Sequence, residues 1–290
     1  MTGNFSGGTQ VFEDKPVLNE PFDQAFFDRQ RSKRSAPKVQ EAERLEEVPT
    51  AASAIVGGTG TQVSGAERLK EGIRLFDLGQ WENALWELRS VEPSEIGDRD
   101  KVNLAYYLGL CLTKLGKLGE AMLHLEKAVS LIPDIPRIYQ CRMALAYIYV
   151  TTGSPRMAEI ELERLVESGF ASPELFNTMA YTAYERKHFR HAIEFYEKAL
   201  ILDAENATAL NGIGYVLVDT GIDLPRGLGC CRRAVEKKPD NPAYLDSLGW
   251  ACYKLSYNGE AGDWLRKANK IAPNEATIRE HLRVVTGGAR

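Results

Sequence analysis

The chain has 290 residues, with 36 basic against 40 acidic side chains and a formal net charge of −4. That balance excludes a global electrostatic pull toward nucleic acid, and no apolar run approaches the ~18 residues of a membrane-spanning helix. The five cysteines, Cys111, Cys141, Cys230, Cys231 and Cys252, are an odd number with no paired CxxC, so no disulfide framework is expected. No secretory or lipidation signal is read in MTGNFSGGTQVFEDKP, and a cytoplasmic location follows as the expectation.

Residues 1–62 are dominated by Gly, Pro, Ser, Thr and Glu and hold no helical period. A disordered N-terminal arm is expected there, ending in the linker PTAASAIVGGTGTQVSG. Within it, PFDQAFFDRQRSKR sets Phe22, Phe26 and Phe27 at helix-compatible spacing ahead of Arg29, Arg31, Lys33 and Arg34. Residues 22–34 thus have the shape of a short helical motif that folds on a partner.

From Gly65 onward a helical period runs in six units, near 65–98, 102–135, 139–172, 173–206, 207–241 and 242–275. Gly72, Gly109, Ala146, Ala180, Gly214 and Gly249 are each followed about twelve residues later by a second small residue: Ala84, Ala121, Ala158, Ala192, Gly227 and Ala261. That spacing lets two short helices cross closely. Turns are expected at Gly79, Gly116 and Gly153-Ser154-Pro155, and the fifth unit carries one extra residue in GIDLPRG. A last helix near 275–285 sets Glu275, Arg279, Glu280 and Arg283 on a polar face beside Ile278, Leu282 and Val285, the pattern of a cap on an open end. The layout expected is an arm over 1–62 and a repeat solenoid over 65–285.

The second unit reads Leu108, Gly109, Leu112, Gly116, Ala121, Leu125, Ala128 and Pro133, and the sixth reads Leu248, Gly249, Tyr253, Ala261, Leu265, Ala268 and Pro273. These residues resemble the tetratricopeptide repeat family over roughly 65–275. The first, third and fourth units lack the final Pro at its usual place, and the fifth has Gly227 where the family places Ala. The segment NPAYLDSLGWACYKL also looks like C-terminal repeats of bacterial members. The resemblance implies an all-α, right-handed superhelical solenoid of about six helix pairs with a C-terminal capping helix. It further implies a concave face, lined by the first helix of each pair, on which protein ligands lie.

Aligning the units on their small residues gives the inward positions this would entail. The residue after each small one is Ile73, Leu110, Tyr147, Tyr181, Tyr215 and Trp250; the residue three before it is Leu69, Tyr106, Met143, Asn177, Asn211 and Asp246. Lying four apart, the two sets share a helix face. The expected peptide-binding set is Tyr106, Leu110, Met143, Tyr147, Asn177, Tyr181, Asn211, Tyr215, Asp246 and Trp250, an aromatic–amide stripe. An Asn amide both donates and accepts and so can pair with an extended backbone. No basic side chain stands at these positions in the first three units, which argues against the clamp for a C-terminal carboxylate found in chaperone-binding members. One turn on, Asp77, Lys114, Glu185, Asp219 and Lys254, counted with Asp246, give a mildly acidic trough suited to a basic and aromatic ligand. The arm's own FFDRQRSKR has that character and could compete for it.

His188 and His191 read as a solvated turn rather than a metal pair, and there is no P-loop, GxSxG or HExxH. The expectation is a non-enzymatic scaffold or adaptor without cofactor or metal, docking protein partners but not nucleic acid, with no direct membrane insertion. Self-association is left open. The rival readings are a secretion-type or assembly chaperone holding a client, and the regulatory subunit of an enzyme.

Overall fold

The computed structural model describes residues 63–132 and 134–287. The expected arm, with Phe22, Phe26, Phe27, Arg29 and Arg31, lies outside the described residues, as does Pro133. The described residues hold thirteen α-helices, one 3₁₀ turn (Pro93–Glu95) and no strand. They divide into two compact units, one ending at His124 and the other beginning at Leu125.

The first unit contains α1 (Gly65–Asp77), α2 (Trp81–Arg89), α3 (Asp98–Lys114) and the start of α4 (Leu118–Leu131). The second continues α4 and adds α5 (Ile135–Thr151), α6 (Pro155–Glu167), α7 (Pro173–Glu185), α8 (Phe189–Leu202), α9 (Ala207–Thr220), α10 (Leu224–Lys237), α11 (Pro242–Lys254), α12 (Asn258–Ile271) and α13 (Ala276–Val285).

Local chemistry explains where these helices start. Ser64 and Glu67 form a reciprocal capping box on α1. Ser172, Asn206 and Asn241 accept backbone N–H bonds at the starts of α7, α9 and α11. Prolines occupy the first turn of α5, α6, α7, α10 and α11, where a missing N–H costs nothing. Two starts come earlier than the repeat spacing suggests. α3 begins at Asp98 and α5 at Ile135, and each runs 17 residues. Asp98 and Asp100 favour the extra turn of α3 through the helix dipole, and Pro136 is preset for the helical φ in α5. The first pair ends early: α2 has nine residues, after which buried Val91 and Ile96 flank the 3₁₀ turn.

Every pair reverses through one residue of positive φ. It is Gly79, Gly116, Gly153 and Gly221 in four pairs, and Lys187 (63°) and Ser256 (66°) in the other two. The small residues then set how close each pair crosses. Where α9 crosses α10, a Cβ on Gly214 would lie 2.5 Å from Cys231 Sγ and 2.9 Å from the Gly227 carbonyl oxygen. Gly227, the departure from Ala in the fifth unit, itself faces Val218 at 2.7 Å by the same measure. Both helices have shed side chains to approach.

In the second unit the helix pairs stack so that α7 packs on α9, α9 on α11, and α11 on α13. The second helices are joined across the outside by exposed ion pairs, Glu197 with Arg226 at 2.6 Å and Arg232 with Glu260 at 3.4 Å, each worth little singly. α13 differs chemically from the first helices before it. Thirty-five residues after buried Leu245 and Leu248 stand Glu280 and Arg283, ion-paired at 2.7 Å and exposed. At those two register positions the buried leucines are replaced by charge.

Candidate functional site

Asn177, Asn211 and Asp246 recur at 34 and 35 residues on α7, α9 and α11. They are 7%, 0% and 5% exposed. At this register a side chain points along the stack toward the neighbouring first helix, so the polar groups are sealed between helices. Asn177 Nδ2 donates to Asn206 Oδ1 at 3.1 Å, and that oxygen also accepts from the Ala209 N–H as the cap of α9. His281 of α13 sets its Nδ1 at 2.9 and 3.0 Å from the two carboxylate oxygens of Asp246. Neither side-chain atom of Asn211 has a partner.

The open aromatic–amide stripe expected from the sequence is therefore not what these positions form. Met143, Tyr147 and Tyr181 are buried with the Asn–Asp tier in the second unit. Tyr106 and Leu110 are buried in the first unit, where the Tyr106 ring meets Tyr107 edge-on at 4.9 Å. Of the ten residues, Tyr215 and Trp250 are the two left partly exposed.

Around those two, on the second unit, lies a rim the sequence reading only touched. Tyr184 donates its hydroxyl to Asp219 Oδ2 at 2.8 Å and packs edge-on against Tyr215, centroids 5.7 Å apart. Trp250 stacks on Tyr253 at 5.2 Å and on His281 at 4.2 Å with the rings only 13° from parallel. Tyr184, Tyr215, Trp250 and Tyr253 are each half-buried, Asp219 is exposed and Glu185 half-buried. Lys254 reaches within 5.9 Å of the Trp250 ring centre. Asp246 drops out of the acidic trough because its charge faces His281. Asp77 and Lys114 belong to the other unit, where the Lys114 ammonium sits 5.4 Å from the Trp81 ring centre.

Tyr184, Tyr253 and His281 were missing from the expected set. The first two lie four residues after the small residues Ala180 and Gly249, one turn beyond the positions chosen. His281 lies 35 residues after Asp246, so one more step of the repeat spacing would have found it.

Elsewhere the chemistry is bland. His188 and His191 are exposed with ring centres 6.0 Å apart, and the described residues contain no group of three metal-type ligands. Burial pushes the thiols of Cys111 and Cys141 up to about 12, and that of Cys231 further still, so they stay protonated. Cys230 is half-buried beside buried Cys231. Among the described residues no helix is long and apolar enough to cross a membrane. What the rim offers is aromatic contact area beside carboxylates.

A family model described as tetratricopeptide repeat matches residues 103–135. A TPR repeat-containing protein of Pseudomonas aeruginosa is 29% identical over 175 residues, covering 59% of this chain but 28% of that protein. The match thus spans less than a third of its relative. A chain in the crystal structure of an APC/C hetero-tetramer superposes with a TM-score of 0.63 at 14% identity, over 77% of this chain and 42% of that one. A tetratricopeptide repeat protein from Parabacteroides merdae superposes with a TM-score of 0.62 at 13% identity, over 78% of this chain and 86% of its own. At these identities the likeness is one of fold.

Proposed function

Because the chain is a tetratricopeptide-repeat protein, we propose that it works as a non-enzymatic scaffold, docking partner proteins on the first-helix face of its second unit. The observation that carries this is the rim of half-buried aromatics, Tyr184, Tyr215, Trp250 and Tyr253, next to Asp219 and Glu185. Tyr and Trp give large contact area at little entropic cost, and in a partly covered setting they are the side chains that dominate interface energy. The adjacent carboxylates favour a partner helix or peptide that combines Lys or Arg with apolar anchors. The buried tier of Tyr147, Asn177, Tyr181 and Asn211 holds the rim in register and is not itself the contact surface. Complex assembly follows from having such a face on a rigid stack.

The test uses a random peptide-display library selected on the full chain, with the best peptide carried forward. Tyr215→Ala combined with Trp250→Ala should weaken that peptide by about 2 kcal/mol or more, roughly thirtyfold, with the far-ultraviolet circular dichroism unchanged. Equal affinity for the double variant would place the binding face elsewhere.

A further inference from the structure

The last helix is held differently from every first helix it resembles. α7, α9 and α11 bury eight, ten and nine residues respectively, whereas α13 buries one, Ile278, of its ten. Beyond half-buried Leu282, Val284 and Val285, the last packed on the same core, its remaining hold is a side-chain recognition event. The His281 ring lies flat on Trp250 at 4.2 Å while its Nδ1 faces both oxygens of Asp246, a carboxylate 5% exposed. Aromatic platform and buried carboxylate together are what selects a planar nitrogen donor. So little buried apolar area lets α13 open as a local unit while the stack beneath stays folded.

We propose that the seat of α13 on α11 and α12 is a second docking position, filled in this structure by the chain's own helix. Its ligand is an amphipathic helix from a partner that presents an aliphatic side chain where Ile278 sits. Three residues on, it presents a His or Arg to Trp250 and Asp246. The buried Asp246 carboxylate beneath the flat Trp250 face is the feature of the seat that favours a helix bearing His or Arg as the occupant. The seat shares Trp250 with the rim, so the inference extends the docking reading to the end of the chain and rests on it for the kind of ligand. α13 then acts as an internal competitor that sets the threshold for the partner.

Two measurements on the full chain test this. In native-state hydrogen exchange, the α13 amides should exchange at least a hundredfold faster than those of α11 and α12. Equal protection in all three helices would overturn the proposal. Next, a labelled synthetic peptide of residues 272–287 is titrated into the wild-type chain and into Ile278→Asp/His281→Ala, with binding followed by fluorescence anisotropy. The variant should bind at least tenfold tighter than wild type, and adding Trp250→Ala should abolish that binding. Tyr215→Ala should leave it unchanged, which separates this seat from the rim. No binding to a variant whose circular dichroism is otherwise intact would overturn the proposal, as would a concentration-dependent dimer in which α13 exchanges between copies. If Ile278→Asp prevents folding, the exchange measurement on the wild type still decides.

Discussion

On α7, α9 and α11, two rows of side chains about one helical turn apart behave in opposite ways. Asn177, Asn211 and Asp246 are sealed between helices, while, four residues on, Tyr215 and Trp250 keep part of their surface in solvent, Tyr181 of α7 being buried like its Asn. Both rows recur with the repeat, and both are polar or aromatic. The difference is cover: neighbouring helices close over Asn177, Asn211 and Asp246, whereas Tyr215 and Trp250 touch Tyr184 and His281 of neighbouring helices and still keep a solvent-facing edge. In a repeat array, then, recurrence of an Asn or a Tyr marks a position every unit shares, and only its burial in the fold tells whether it joins units or has surface left for a partner.

The sharpest way to break the comparison is to destroy the crossing on which both rows depend. Gly214→Leu would place its Cβ against Cys231 Sγ and the Gly227 carbonyl, and backbone cannot yield as a side chain can. Overpacking of this kind costs ~1–3 kcal/mol and more where backbone must move. The urea midpoint should fall to match, and the peptide selected on the wild type should no longer bind.

A smaller change separates the rows. Asn211 is wholly buried with neither amide atom partnered, so Asn211→Leu removes an unpaired polar group at nearly constant volume. That should stabilise the chain by about 1–2 kcal/mol, read as a higher urea midpoint with unchanged m-value, and leave rim affinity as it was. Destabilisation would mean that the amide has a partner in solution and that the buried row does more than space the helices.

The smallest effect concerns the turns that hold the rim-bearing pairs. Lys187 and Ser256 occupy the left-handed φ that Gly takes in the other four pairs. Lys187→Gly and Ser256→Gly should each stabilise by about 0.5–1 kcal/mol, since relief of the Cβ clash outweighs the added entropy of the unfolded chain. Thermal midpoints a few degrees higher would bear this out, and lower ones would show that these two side chains support the turn.

Much of the architecture is legible in the residues themselves. The small-residue register announces the pairs, and Ser64, Ser172, Asn206 and Asn241 announce four helix starts. The extra turn of α3 and α5 is less visible, because it depends on residues 98–101 and 135–138 that precede the repeat pattern. The rim was only half legible. A helical period assigns residues to a face, but whether that face meets a neighbouring helix depends on how units pack, which no single unit encodes. Asp246 shows this well: on its own helix it looks like an acid in a groove, and only the fold brings His281 onto it.

The central claim is that the rim, not the outer helices, receives partners. The most direct measurement places a photo-crosslinking phenylalanine analogue at Tyr215 or, on the outer helix α8, at Glu194, in the full chain inside cells. Adducts of defined mass that form from position 215 and not from 194, and that vanish with Trp250→Ala, are the predicted result. Adducts from 194 with none from 215 would contradict the account.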